Sequence, residues 1–319
     1  MKYLFLKQLG IKIGHVTKRM DLTGVTVFLI ENGARIGIDI RGSSTGSLNT
    51  HAYGDTMSAR TFVHAVVFSG GSAFGMESFT GVMKYLYEKN VGARFGSEMV
   101  PGVTGGVIYD RLVGKMSYPT RSDGYKAAEQ ASCLEYRMGN IGAGTGATMG
   151  KWANGICMKG GFGMAATHTG SDIIAAFVVT NAYGDAIHPK TKRWYIDSGG
   201  YPYGKNANQI SQPQSANTTL ALVATTIDLD RPALSKIASR CQDAFARAIF
   251  PVHTMVDGDM IFAISTKRDD QRKKKNKMNL SLDQVCLAAE EAVIKAIKES
   301  VMNSTGIEGF PSYSEVLRH

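Results

Sequence analysis

After residue 217 the chain runs strand, long helix, strand, basic loop, long helix, and this order most constrains what it can fold into. "TLALVATT" (219–226) and "MIFAIST" (260–266) are apolar runs of strand length. Between them, Leu234, Ile237, Ala238, Cys241, Phe245 and Ala248 recur at helical spacing, with Pro232 in the first turn where its missing N–H is tolerated. Further on, Leu282, Val285, Cys286, Ala289, Val293 and Ile297 form a second stripe. Ser281 and Gln284 have capping-box spacing and place that helix start near 281. Earlier strands are read at 25–31, 35–40, 63–69 and 172–182, and another helix from Gly75. Mixed strands and helices of this kind predict α/β layers around shared sheets.

The 319 residues, 44% hydrophobic and 20% charged, are enough for a substantial core, and no linker composition divides them, so a single domain over 1–319 is expected. No window reaches the roughly 18 apolar residues of a membrane helix. The first apolar run, before Lys7, is shorter than the roughly 7–15 residues of a secretory core, so a cytoplasmic location is expected. The four cysteines, Cys133, Cys157, Cys241 and Cys286, lie far apart beside apolar segments and read as buried free thiols. Much of the formal charge of +9 lies in "KRDDQRKKKNK" (267–277). That run has no interleaved aromatics for base stacking, so it reads as a solvated loop and nucleic acid is not an expected partner. The 36 glycines cluster without a period, which marks tight turns and close backbone approaches. The polar stretch from 188 to 217 is long for a connection inside a compact domain, and such loops are functional or disordered.

Single motifs say little by themselves. "GAGTGAT" (142–148) fits the G-x-G-x-x-A variant of the dinucleotide fingerprint, but "CLEYRMGN" before it reads as the end of a helix where a strand is needed. A tight turn lining a site is the better reading, and no cofactor is expected. "GGSAFG" has Phe74 where a nucleophile elbow has its last glycine, which argues against Ser72 as a triad serine. His253 has no partner at metal-ligand spacing and reads as a hydrogen-bonded structural histidine; no metal is expected. Asp257-Gly258-Asp259 lacks the further oxygen ligands of a calcium loop and reads, on spacing alone, as a turn. Thr218 opens a strand, as threonines often do.

Taken together, "GIKIGHVT", "LTGVTVFL", "FSGGSAFGMES", "GNIGAGTGATMGKW", "KGGFGMA", "NTTLALVAT" and "HTMVDGD" resemble, in order and spacing, one family. It is the self-processing aminopeptidases typified by L-aminopeptidase D-amidase/D-esterase (DmpA), which include β-aminopeptidases and nylon-oligomer hydrolases. The match runs from about Gly10 to Thr266. The resemblance implies a four-layer αββα sandwich of the N-terminal-nucleophile type, related to ornithine acetyltransferase, assembled as a homotetramer. It implies self-cleavage at Asn217–Thr218 into chains 1–217 and 218–319, with Thr218 as nucleophile. By the same resemblance Asp257 and Asp259 form the acidic pair, a double Asp closer to the nylon-oligomer hydrolases than to the β-aminopeptidases, whose pair includes a Ser. Lys151 matches a lysine near the nucleophile, and Asn181 the amide of an oxyanion hole. Phe74, where several members have Tyr, and Gly144 are expected to line the substrate site. "RGSSTGSLNT" (41–50) departs from the family pattern in a loop near the site, and the basic run 267–277 reads as an insertion.

The chemistry is coherent. A threonine hydroxyl needs a base, and cleavage turns the Thr218 amide into an α-amine with a reference pKa of roughly 7.7–8.0. The expected function is therefore an amide hydrolase acting on short substrates with a free amino end. Alternatives are an acyltransferase on the same fold, an unprocessed binding protein, and a nucleotide-binding protein using "GAGTGAT".

Overall fold

Side chains on the central strands alternate in size rather than in polarity. Along Thr218–Thr225, Leu220, Leu222 and Ala224 enter one apolar cluster, while Ala221 and Val223 enter another. Along Met260–Ser265, Met260, Phe262 and Ile264 separate from Ile261 and Ala263 in the same way. Strands of this kind need cover on both faces. The larger side chains meet a second layer of sheet, and the smaller ones let helices approach closely.

The computed structural model describes residues 4–152, 155–197, 217–267 and 280–318. The polar stretch over 198–216 and the basic run beyond Lys267 lie outside them. Among the described residues nine strands are hydrogen-bonded together: β1 (Lys12–Lys18), β2 (Thr23–Ile40), β3 (Ser47–Leu48), β4 (Phe62–Ser69), β5 (Val103–Val107), β6 (Gly161–Thr169), β7 (Asp172–Asn181), β8 (Thr218–Thr225) and β9 (Met260–Ser265). Their order is β6-β7-β8-β9-β2-β4-β5-β3, with β1 also beside β2. β8 and β9 are parallel, as are β4 and β5; the other pairs are antiparallel. The long β2 belongs to both halves. Val25–Leu29 pair with β4, the register shifts between Leu29 and Ala34, and Arg35–Ile40 pair with β9.

The two halves enclose an aromatic core that includes Phe28, Phe68, Phe162, Phe177 and Phe262, all fully buried. Phe28 lies 5.2 Å from Phe68 and 5.1 Å from Phe177, centroid to centroid. Truncating one of these rings to Ala is expected to cost about 3–5 kcal/mol. Outside one half, α1 (Glu77–Glu88) and α2 (Arg121–Glu129) cover Val25, Val27, Leu29, Ala65 and Val67. Outside the other, α3 (Arg231–Ala248) and α4 (Leu282–Met302) cover Ala221, Val223, Ile261 and Ala263. The result is the four-layer αββα sandwich that the motifs imply.

The capping box at Ser281 and Gln284 is present. Other readings change. Segments 25–31 and 35–40 are one strand, because the bulge bends the chain without breaking it. The helix read from Gly75 starts as a tight turn over Ser72–Met76 and becomes α-helical at Glu77. "CLEYRMGN" is irregular rather than the end of a helix, since α2 has already stopped at Glu129. Cys241 and Cys286 are buried free thiols and Cys133 is half-buried, but Cys157 is exposed because it follows the loop after Gly150.

Candidate active site

Parallel β8 and β9 start at the same edge, and antiparallel β7 ends there. This topology gathers Asn181, Asn217, Thr218 and the Asp257–Asp259 turn. Asn181 closes β7 directly opposite Thr218. Leu220 sits beside Met260, and a parallel bridge joins Asn217 to Asp257. "NTT" and "DGD" therefore lie side by side.

Thr218 is 3% exposed. Its hydroxyl donates to the carbonyl oxygen of Asn217 at 2.5 Å, and the Gly258 backbone N–H donates to the same oxygen at 2.7 Å. The Asn217–Thr218 peptide thus carries the hydroxyl and a main-chain donor on one polarised carbonyl. Gly258 must be glycine, because a Cβ there would come within 2.7 Å of Thr218 Oγ1 and of the Ser44 carbonyl oxygen.

Both carboxylates of the turn are buried and serve as acceptors. Asp259 Oδ1 accepts from the Thr219 backbone N–H at 2.7 Å, and Oδ2 faces His253 Nδ1 at 2.8 Å. His253 is held at φ +53°, a strained conformation of the sort that persists where the surroundings over-determine it. It is hydrogen-bonded as expected, and its partner is one of the acidic pair. Asp257 Oδ1 accepts from the Tyr183 N–H at 3.1 Å, and Oδ2 from the Thr254 N–H at 2.9 Å and hydroxyl at 2.5 Å. Burial, reinforced by the neighbouring Asp259, pushes the Asp257 carboxyl up to about 6. The loop that departs from the family pattern is laced onto this turn. Arg41 and Gly42 N–H groups donate to the Asp259 carbonyl at 3.1 and 3.2 Å, and Ser44 N–H donates to that of Asp257 at 2.9 Å.

On the other side, Lys151 Nζ donates to the carbonyl and hydroxyl oxygens of Thr148 at 2.9 and 3.0 Å, and to Asn181 Oδ1 at 3.4 Å. Burial pulls this ammonium down to about 7, against the opposing charge of Asp257. Asn181 Oδ1 also accepts from the Thr148 N–H at 3.0 Å, and its amide nitrogen donates to the Tyr109 carbonyl at 3.0 Å. That nitrogen carries a second hydrogen.

Asn217, Thr218, Asp257, Asp259, Lys151 and Asn181 are thus brought together. Phe74 lies at the surface and is not among them. It is 61% exposed, stacked on Tyr118 at 5.5 Å, with the Arg111 guanidinium 5.0 Å over its ring. Gly144 is buried in a tight turn against the backbone of Phe162 and Gly139, and its carbonyl accepts from Lys159 at 3.0 Å. Sequence reasoning missed Gly258, Tyr183, Thr254 and Thr148. The first two act through main-chain N–H groups, which leave no side-chain signal, whereas Thr148 stands inside a motif already singled out.

The model of Peptidase family S58 matches residues 9–314. The chain belongs to that family. An uncharacterized aminopeptidase of Mycobacterium leprae is 31% identical over 344 residues, covering 95% of this chain and 91% of that one. A 6-aminohexanoate-oligomer endohydrolase of Kocuria sp. is 29% identical over 273 residues, 82% of this chain and 74% of the relative. Among solved structures, the L-aminopeptidase D-Ala-esterase/amidase of Ochrobactrum anthropi, a variant of the Ntn hydrolase fold, has a TM-score of 0.67. It is 20% identical and covers 92% of this chain and 84% of its own, a likeness of fold. As an S58 peptidase the chain is an amide-bond hydrolase, and its substrates are peptides or amides. No helix among the described residues is long and apolar enough to cross a membrane.

Proposed function

We propose that the chain cuts itself between Asn217 and Thr218 into 1–217 and 218–319, and that Thr218 then hydrolyses short amides bearing a free amino end. The observation that carries this reading is the Asn217 carbonyl, held between the Thr218 hydroxyl and the Gly258 N–H. Oγ1 adds to the carbonyl carbon, its proton passing to the scissile nitrogen, and the negative charge gathers on the oxygen that Gly258 already contacts. Collapse breaks the C–N bond, leaving an ester on Oγ1 and a free amine on Thr218. Water then releases the Asn217 carboxylate.

The new amine supplies the base that the uncut chain lacks, with a reference pKa of roughly 7.7–8.0. In turnover it takes the hydroxyl proton as Oγ1 attacks the substrate carbonyl, then passes it to the leaving amine. Asn181 offers its second N–H to the substrate oxyanion, a contribution worth about 3–4 kcal/mol in comparable sites. Lys151 adds positive charge beside it. Asp259 fixes the strand start through the Thr219 N–H, and Asp257 faces the Lys151 ammonium. Phe74 lines the substrate entrance with Arg111, whereas Gly144 shapes the turn behind Lys151. The double Asp and the likeness to a 6-aminohexanoate-oligomer hydrolase favour ω-amino acid oligomers as substrates, with the enzyme working in the cytoplasm as a homotetramer.

The test is Thr218→Ala assayed against a panel of 6-aminohexanoate oligomers, β-amino amides and D-amino amides. The variant is expected to stay folded and uncut and to release no product. Turnover by folded Thr218→Ala would overturn the mechanism.

A further inference from the structure

Asp185 is fully buried, belongs to none of the motif roles above, and ties together three of the four segments that carry the candidate site: the Lys151 loop, the end of β7 and the segment that leads to Asp257. Its Oδ2 accepts from the Trp152 indole N–H at 2.5 Å and its Oδ1 from the Ile156 N–H at 3.1 Å. These two donors stand on the loop that begins with Gly150 and Lys151. The same loop is stitched to the chain just before Asp185, where Lys151 N–H donates to the Tyr183 carbonyl at 2.8 Å and Gly150 N–H to that of Gly184 at 2.9 Å. Gly150 has φ +72°, and a Cβ on it would lie 2.1 Å from Asp185 Oδ1, so the carboxylate is packed against the residue preceding Lys151. The backbone of Asp185 pairs both ways with Phe250, at 2.7 and 2.8 Å, on the segment that leads to Asp257 and Asp259. Trp152 meets the Phe250 ring edge-on at 5.7 Å, closing the triangle.

We propose that Asp185 is a positioning residue: its carboxylate holds Trp152 and the Ile156 backbone so that the Lys151 ammonium is kept against Thr148 and Asn181, beside Thr218. Both donors are N–H groups, so both oxygens must accept, which a carboxylate does and no apolar isostere does. Burial pushes the group up to about 7, a cost for keeping an acid here that a purely space-filling residue would not incur. Cys157 of the loop, and Lys192 and Tyr195 downstream, are the ionisable groups that face it; Asp257, Cys157 and Asp110 face Lys151, whose charge also acts weakly on Lys159. The inference deepens the function proposed above by naming what sets its lysine in place, yet its test does not require turnover.

The test compares Asp185→Asn and Trp152→Phe with the parent in the full chain. An amine-reactive acylating reagent is applied across pH 6 to 10, and labelling of each lysine is read by peptide mass spectrometry. Lys159, buried elsewhere in the same half of the molecule, is the internal control for general loosening. At pH 10, where the amine is largely neutral in parent and variants, Lys151 labelling is expected to rise severalfold in both variants, and its titration midpoint to move up from about 7 toward that of an ordinary lysine, with Lys159 unchanged. Where product release is measurable, kcat falls while KM holds. Unchanged Lys151 labelling in folded variants would overturn the proposal. So would Lys151 and Lys159 rising together, which marks a residue that merely supports the fold. Absence of self-cleavage in the parent would count against the proposed function and leave the labelling result to stand for itself.

Discussion

Lys151 and Lys159 occupy neighbouring regions, are both pulled down to about 7 by burial, and each donate to three oxygens. The partners differ. Lys159 is fully enclosed and meets only backbone carbonyls, those of Gly144, Ala147 and Gly160 at 3.0, 2.7 and 3.1 Å. It ties the "GAGTGAT" turn shut. Lys151 meets Thr148 and the amide oxygen of Asn181, which stands opposite Thr218. A depressed lysine pKa thus reports burial in both places, and only the connections of the ammonium separate a structural clasp from a group beside the reacting peptide.

The comparison breaks most visibly if the two lysines respond alike to removal. Lys151→Met is expected to slow self-cleavage and amide turnover about 10²–10³-fold, the usual loss for one donor at a developing charge. Its thermal midpoint should stay near that of the parent, and a loss under about fivefold would place Lys151 outside the reaction. Lys159→Met is expected to cost about 2–3 kcal/mol in urea unfolding, because buried carbonyls lose their donor. Its rate per folded molecule should stay within about tenfold of the parent, so a larger kinetic loss without destabilisation would erase the contrast.

Smaller effects follow from pH. Lys159 titrates near 7 when folded and near the usual 10.5 when unfolded. Between those values the unfolded chain binds more protons, so folding stability rises with pH across that window and carries its full penalty below it. Paired urea titrations at pH 7 and 10 should therefore show the parent gaining on Lys159→Met; a constant difference would mean that the lysine is not desolvated. The smallest expected effect is on rate. With Asp257 near 6 and Lys151 near 7, self-cleavage should rise as the carboxylate forms and fall as the ammonium is lost, giving a few-fold maximum between those values. A profile flat from pH 5 to 9 would remove both groups from the reaction.

Much of the architecture was legible where periodicity is strong. β8, β9, α3 and α4 were read from apolar spacing and the Ser281 capping box because each buries a continuous face. β5 and β6 were not, since "VTGGV" and "GFGMAATHT" place glycines and small residues where other backbone approaches, which erases the strand signal. The site was less legible. Spacing reads Asp257-Gly258-Asp259 as a turn and Thr218 as an ordinary strand opener, and only the family resemblance joined them. The physical link is topological: parallel β8 and β9 begin together and β7 ends beside them. No local pattern encodes that meeting. Main-chain donors such as Gly258 and Tyr183 are invisible for the same reason, and Asp185 carries no local signal because its partners lie on loops distant in sequence.

The central claim is that the peptide between Asn217 and Thr218 is built to be cut. The most direct measurement is the intact mass of freshly purified protein under denaturing conditions, followed through a long incubation. The account predicts two chains whose masses correspond to residues 1–217 and 218–319, increasing with time at the expense of the full chain. A single chain of full mass that persists unchanged, or a cut at any other bond, would contradict it.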